Sequence, residues 1–498
     1  MDFLDPRKKR THRIRLMIGY ALMATVIGLG TIVLGYAADG FGINTKTGEI
    51  VQNGLLFVGS EPGGAKIYLN GIDQDRTTSA RLILQTGDYT LSLQKDGYRQ
   101  WEKTFHLNER SVARYVYPFL FPIEPVTTAV KHYPTLPLLI AQSPDRRWLF
   151  VQQPSVANRA NLHLYDTRAL DRAAVTVTLP AGLLSSLDSA GSALKEVSWT
   201  SNSDFMLLEH KYKGGKEFIV VNRSQPGRSF NVNKLFKVAA DKVTFRDAKI
   251  DQLYIFDKDK LSLQVGDTRN NQLSQPILTG VVAFNNYDQN LVSYITATGA
   301  GEGQVNVRIW DGDQSYTLSS LPLSNTYLLD AASYQDNWYY IAGSSAAQQL
   351  NIYKNPLNSL KGRPGAKASP MLALRNPGAT QAEFSINSRV IGVQGGQTFS
   401  SYDLETQGSY QFKVKFRLSG LLKWMDGHRW VGQAGKSIYV IDYDGTNPQE
   451  LGPSLLPSGG FFSSDYNHLL TFQERVGGKG VTLVDIDMRA GKDLPKKP

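Results

Sequence analysis

The chain has 498 residues, a formal net charge of +10 and no cysteine. That length exceeds one ordinary core and points to two or three folding units. The missing thiol excludes disulfides, thiolate metal sites and cysteine nucleophiles, so an exported fold would rest on burial and sheet pairing. Six basic and two acidic side chains fall within the first fifteen residues, leaving +6 over the rest, and that thin surplus is no argument for nucleic acid.

Residues 1–15 form a basic head containing Arg7, Lys8, Lys9, Arg10, Arg13 and Arg15. The run 16–36 follows without one charge. About 20 apolar residues in a helix span roughly 30 Å of hydrocarbon, so this run is long enough to cross a bilayer. Basic residues precede it and only Lys46 follows closely, which puts the N-terminus in the cytoplasm and everything after Ala38 outside. The expected location is the cell membrane, single-pass, with 16–36 in contact with lipid. A cleaved signal peptide has a shorter apolar core of about 7–15 residues. Gly35-Tyr36-Ala37 offers small residues at a peptidase spacing, so cleavage stays open as the alternative.

Residues 37–53 are polar and glycine-rich and read as a spacer. From Gly54 the apolar period becomes two. Leu55 to Val58 makes a strand, Ile67 and Leu69 share one face, and Asn70-Gly71 is the pair best suited to a tight hairpin turn. Tyr89, Leu91 and Leu93 alternate with Thr90, Ser92 and Gln94, and Tyr98, Trp101, Phe105 and Leu107 complete the apolar face. A small antiparallel β-domain is predicted over 54–117.

Its residues resemble the PEGA domain family. The resemblance lies in Ser60, Pro62, Gly64-Ala65, Ile67-Tyr68-Leu69-Asn70-Gly71, then Gly87-Asp88-Tyr89-Thr90-Leu91 and Lys95-x-Gly97-Tyr98. The Glu of the naming run is replaced, since the chain reads Pro62-Gly63-Gly64-Ala65, and the usual Gly-x-Thr-Pro is replaced by Asp75-Arg76-Thr77-Thr78-Ser79. The resemblance implies an envelope setting and supplies no catalytic residue. The aromatic, proline-punctuated stretch Tyr115 to Pro122 closes this domain and leads into a linker, 118–133, and it is expected to pack between the two outer domains.

Over 134–498 a pattern recurs every 40–55 residues or so: a polar turn, an apolar strand, and a second strand ending in an Asp-containing turn. Ser143-Pro144-Asp145 with Leu149 to Val151 and Asp166 is the first unit, and Phe462-Ser463-Ser464-Asp465 with Asp485 the eighth. Evenly spaced short strands at this period predict a β-propeller of about eight blades, with seven as the alternative. The turn resembles that of TolB-type and WD40-like propellers. Thr127 to Val130 lies where a ring-closing strand would begin, beside Val481 to Val484. The fold class is mainly β, with one membrane helix.

Motifs for chemistry are sparse. Gly435-Lys436-Ser437 ends like a phosphate loop but leads into the strand Ile438 to Val440, with no helix N-terminus to face a phosphate. Gly299-Ala300-Gly301-Glu302-Gly303 sits between two strands of one blade and reads as a hairpin loop. His12, His106, His132, His163, His210, His428 and His468 show no ligand spacing. Asp166, Asp311, Asp403, Asp442 and Asp485 share one blade position and read as turn caps. Trp338-Tyr339-Tyr340, Trp424 and Trp430 read as core between blades rather than a sugar platform. No catalytic, cofactor-binding or metal-binding residue is assigned, no cofactor is expected, and binding residues stay unassigned. The expected function is an extracytoplasmic binding or scaffolding protein that recognises a wall glycan or a partner protein. The alternative is an exported propeller hydrolase or lyase acting on envelope polymers.

Overall fold

The computed structural model describes residues 6–38, 41–43, 50–156, 159–186, 192–288, 290–362, 366 and 368–493. Residues 1–5 of the basic head, and 39–40 and 44–49 of the expected spacer, lie outside the described residues. The chain divides into two compact units, Met1–Ile123 and Glu124–Pro498.

The first unit opens with a helix, Pro6–Ala38. From His12 to Tyr36 every side chain on it is exposed, and this segment is long and apolar enough to cross a membrane. A helix with apolar side chains all round and none buried has no face for water, which is the condition of a bilayer span or a signal sequence.

Two four-stranded sheets follow. In one, Ile50–Val58 pairs antiparallel with Phe41–Ile43 and Ala80–Gln85, and parallel with Val112–Tyr115. Strand structure therefore begins inside the stretch read as spacer, and one ladder of the predicted antiparallel domain is parallel. The other sheet runs Ile72–Thr77, Lys66–Leu69, Gly87–Gln94, Trp101–Leu107. Its turn at Asn70 (φ 50°) and Gly71 (φ 79°) takes the positive φ angles the pair was chosen for. Trp101, Phe105 and Leu107 bury one face of the last strand, with Leu56, Val58, Ile67, Leu91 and Leu93. The aromatic stretch packs on this same domain. Phe119, Leu120 and Phe121 are buried, Leu120 N donates to Glu61 O (2.8 Å), and Arg99 N donates to Phe121 O (2.9 Å).

Among the described residues the second unit is a ring of eight antiparallel sheets in chain order. Blades 1 to 7 span 140–178, 193–231, 242–279, 281–322, 327–375, 381–413 and 423–453. Blade 8 joins Phe461–Phe462, His468–Glu474 and Val481–Asp487 to a strand from the start of the unit, Thr127–Tyr133. Val481 lies opposite Tyr133, and Val484 opposite Ala129. Thr127 to Val130 thus closes the ring as its position suggested, and the ring takes in residues 127–133 of the stretch read as linker. Tyr133 also crosses to blade 1, where its hydroxyl hydrogen-bonds that of Tyr165 (2.5 Å). Leu149 and Val151 of blade 1 pack there against Leu470, Phe472 and Leu483. At about 1.5–3 kcal/mol for each such buried side chain, this seam contributes on the order of 10 kcal/mol before ordering entropy.

One turn explains much of the repeat. In blade 1, Trp148 N donates to Ser143 Oγ (3.0 Å) while Ser143 Oγ donates to Asp145. The same pair of bonds forms in blade 8 through Ser463 and Asp465, in blade 6 through Ser385 and Asn387, and in blade 2 through Thr200 and Asn202. A short hydroxyl and a short acceptor two residues on fix the reversal between the inner and second strands. Three of the recurrent aspartates cap the next turn, Asp166 accepting from Arg168 N, Asp311 from Gln314 N, and Asp403 from Glu405 N. Asp442 instead accepts from the Asn447 side chain, and Asp485, contrary to the turn-cap reading, pairs across the ladder with His468. Trp424 and Trp430 are buried and stacked at 3.9 Å, and a Cβ at Gly392 of blade 6 would come within 2.2 Å of Trp430. These tryptophans are core between blades 6 and 7.

Candidate functional site

The rim of blade 4 carries an open polar groove of about 560 Å³. Alternation builds it. Along Gln304–Trp310, Val305, Val307 and Ile309 go into the core shared with blade 5, while Gln304, Asn306 and Arg308 line the groove. Ser320 and Thr317 of the last strand lie opposite Asn306 and Arg308. The far wall is Leu360, which ends the short helix Pro356–Leu360, with Gly362 and Ala366 after it.

Arg308 is the distinctive group. Its Nε is buried without a hydrogen-bond partner, and among the described residues it makes no ion pair. The nearby carboxylate of Asp311 is taken by Lys361 at 2.7 Å. Asn306 is held in place, donating to Thr298 O (3.3 Å) and accepting from Ser320 Oγ (3.0 Å). Tyr316 adds a half-buried ring on the same wall. A guanidinium fork without a counter-ion, flanked by amides, hydroxyls and one aromatic face, suits an acidic, hydroxyl-rich ligand. The glycine-rich loop Gly299 to Gly303 is the hairpin loop expected of it, between Val292–Thr296 and Gln304–Trp310, and Gly299 and Gly301 line the groove.

Among the described inner-strand residues, Glu383 lies near Asp330 and Lys423, Lys423 lies near Glu196, and Lys242 is buried on its own strand. Burial pushes the Asp330 carboxyl up to about 6, although Ala331 N (2.9 Å) and Phe384 N (3.0 Å) both donate to it. Burial, and then the Asp330 charge, push Glu383 up to about 7, with Gln381 and Lys423 pulling the other way. Burial raises Glu196 against the attraction of Lys423. Burial lowers the Lys242 ammonium to about 8, where Nζ donates to Phe284 O and Asn285 Oδ1. Each inner strand has one unpaired edge toward the axis, and side chains of its neighbour satisfy part of it.

The histidines are dispersed. His106 pairs with Asp88 at the surface (2.7 Å), His132 with Thr482 (2.8 Å), and His163 with Tyr133 (3.2 Å). His12 is exposed on the helix, and burial lowers His428 to about 4. His468 lies 2.9 Å from Asp485 and 3.5 Å from Asp487, the one metal-competent trio among the described residues. Its hydrogen bond to Asp485 raises the imidazole, which fits a cross-strand ion pair. His210 lies fully buried against Glu217, 2.9 Å away. Gly435-Lys436-Ser437 is a hairpin turn into Ser437–Asp442, and its Lys436 reaches Glu474 at 3.2 Å.

Among known families, the PEGA domain matches residues 53–118. That stretch is the two-sheet domain of the first unit. A comparison with curated proteins finds no match. Among solved structures the chain is similar to the Dos1 propeller, with 13% identity and a TM-score of 0.45 over 72% of this chain and 94% of that one. It is also similar to an uncharacterised protein of Listeria monocytogenes EGD-e (11%, TM-score 0.39, 68% and 94%). An oligogalacturonate lyase in complex with manganese is a third (10%, TM-score 0.39, 70% and 98%). At these scores none of the three speaks to ligand or activity.

Proposed function

We propose that this protein is anchored in the cell membrane by its N-terminal helix and holds its PEGA domain and propeller outside, where the propeller binds an acidic wall glycan. The observation that carries the reading is Arg308, a guanidinium without a counter-ion in a ligand-sized polar groove. Leaving a partly buried cation unpaired is costly to a fold unless something else supplies the anion. A uronate-type sugar would offer a carboxylate to the guanidinium, hydroxyls to Gln304, Asn306 and Ser320, and an apolar ring face to Tyr316.

The test is binding of the full chain, in detergent micelles, to polyuronate-coated beads against neutral dextran beads at physiological salt. Retention on polyuronate alone is expected. Arg308→Gln should weaken it about 10- to 100-fold, since a hydrogen bond to a charged group contributes about 1.5–3 kcal/mol. Equal retention on both beads, or an unchanged affinity in Arg308→Gln, refutes the groove as the glycan site.

A further inference from the structure

Blade 2 contains a hydrogen-bonded chain that the glycan reading does not use. Ser192 Oγ lies 2.9 Å from His210 Nε2, and His210 Nδ1 lies 2.9 Å from Glu217 Oε1. The sheet brings the last two together, because His210 and Glu217 are opposite each other in the ladder between Phe205–Tyr212 and Gly215–Asn222. Ser192 stands at the entry to the inner strand Ala193–Trp199.

The proton positions follow from the contacts. Glu217 accepts from Ser185 N (2.7 Å), Ser185 Oγ (3.0 Å) and Asn231 Nδ2 (2.7 Å) in addition to the imidazole. Those donors outweigh burial and hold the carboxyl below its ordinary range. An ionised carboxylate accepts only, so the proton between it and His210 belongs to Nδ1. When the ring is neutral its lone pair is on Nε2, directed at Ser192, whose hydroxyl can donate to it. His210 and Glu217 are shut off from water, at 0% and 4% side-chain exposure, while Ser192 is partly exposed. Tyr212 stacks on the imidazole at 5.4 Å and fixes its plane. Nucleophile, base and orienting acid are therefore in the order and at the spacing of acyl-transfer enzymes.

We propose that Ser192, His210 and Glu217 form an ester-hydrolysing site, separate from the groove on blade 4. Ser192 Oγ attacks the acyl carbon of a carboxylic ester and its proton passes to His210 Nε2. The ester C–O bond breaks and the leaving alcohol takes that proton. Water then attacks the acyl-serine, again giving a proton to Nε2, and the acid departs as Ser192 recovers its hydrogen. Glu217 stabilises the imidazolium in both halves. Small acyl esters are the substrate class, since Ser192 alone of the three reaches solvent.

The full chain in detergent micelles is treated with a fluorophosphonate probe and the adduct located by peptide mass spectrometry. A single adduct on Ser192, absent in Ser192→Ala, is expected, together with hydrolysis of p-nitrophenyl acetate that falls at least about tenfold in that variant. No adduct on Ser192 in the folded chain overturns the proposal. A second measurement uses the lack of cysteine. Ser192→Cys should be alkylated by iodoacetamide at pH 6 at least about tenfold faster than Ser458→Cys, because an adjacent imidazole converts the thiol to thiolate. Equal rates would show that His210 is no base toward position 192 and would overturn the proposal.

Discussion

Glu383→Gln should stabilise the propeller, and only at neutral to alkaline pH. Glu383 lies on the inner strand Gln381–Phe384, where burial and the neighbouring Asp330 keep its proton on to about pH 7, against an ordinary value of 4.5. Below about pH 4.5 the carboxyl is protonated in both folded and unfolded chains and Gln is a near-neutral replacement. Between 4.5 and 7 the unfolded chain loses a proton that the fold retains, so stability falls as pH rises through this window and levels off above it. At 1.36 kcal/mol per tenfold, the wild type has lost about 3 kcal/mol by pH 8, and the amide never incurs that loss. Unfolding entropy for roughly 375 residues of Glu124–Pro498 is near 0.8 kcal/mol/K, so the gain is about 4 °C in Tm. Gln is the right probe here and Asn at position 330 is not, because its amide would face the donating Phe384 N. Calorimetry of wild type and variant at pH 4.5 and 8 decides the matter. A shift equal at both pH values, or a loss at pH 8, would refute the buried-carboxyl account.

Deleting residues 127–133 should abolish the cooperative transition of the propeller while the PEGA domain still melts, because the strand Val481–Asp487 loses its outer partner and the blade 8–blade 1 seam loses Tyr133. An unchanged calorimetric profile would contradict ring closure. Topology is checked with Ser458→Cys, the only thiol such a chain would contain. Intact cells should label it with a membrane-impermeant maleimide, and labelling only after lysis would reverse the orientation.

Much of this architecture is legible in the sequence because burial in strands leaves a period of two. Trp101, Phe105 and Leu107, or Val305, Val307 and Ile309, announce their strands directly. The strand Ile72–Thr77 does not, being almost wholly exposed, with Asp73, Gln74, Asp75 and Arg76 carrying no apolar signal. Phe41–Ile43 was hidden for a related reason, its glycine-rich surroundings reading as a tether. The sites were less legible still. Gln304, Asn306 and Arg308 look like the solvent face of any strand until the segment after Pro356–Leu360 is found across from them. A glycine-rich loop running into that alternation was the available signal. Ser192 and Glu217 are 18 and 7 residues from His210; ladder register joins Glu217 to it, and the residue just ahead of the inner strand supplies Ser192.

The repeat itself separates polar residues that the fold needs from those it does not. The Ser/Thr and Asp/Asn turn recurs in blades 1, 2, 6 and 8, and basic–acidic pairs on the second turn recur as Arg147 with Asp166 and Arg389 with Asp403. A residue that returns blade after blade is accounted for by the geometry every blade shares, and removing it should cost stability wherever it occurs. Arg308, by contrast, has no carboxylate of its own in blade 4, whereas Arg147 and Arg389 at the blade 1 and 6 turns each hold one. A half-buried cation that the repeat leaves unpaired lowers stability in the empty state, and neutralising it should leave the fold as stable or more so. Arg308→Gln should therefore weaken glycan retention without lowering the melting temperature, while Arg389→Gln, stripped from Asp403, should lower it. A function-specific residue and a fold-specific one of the same chemistry are told apart by that opposite pair of responses.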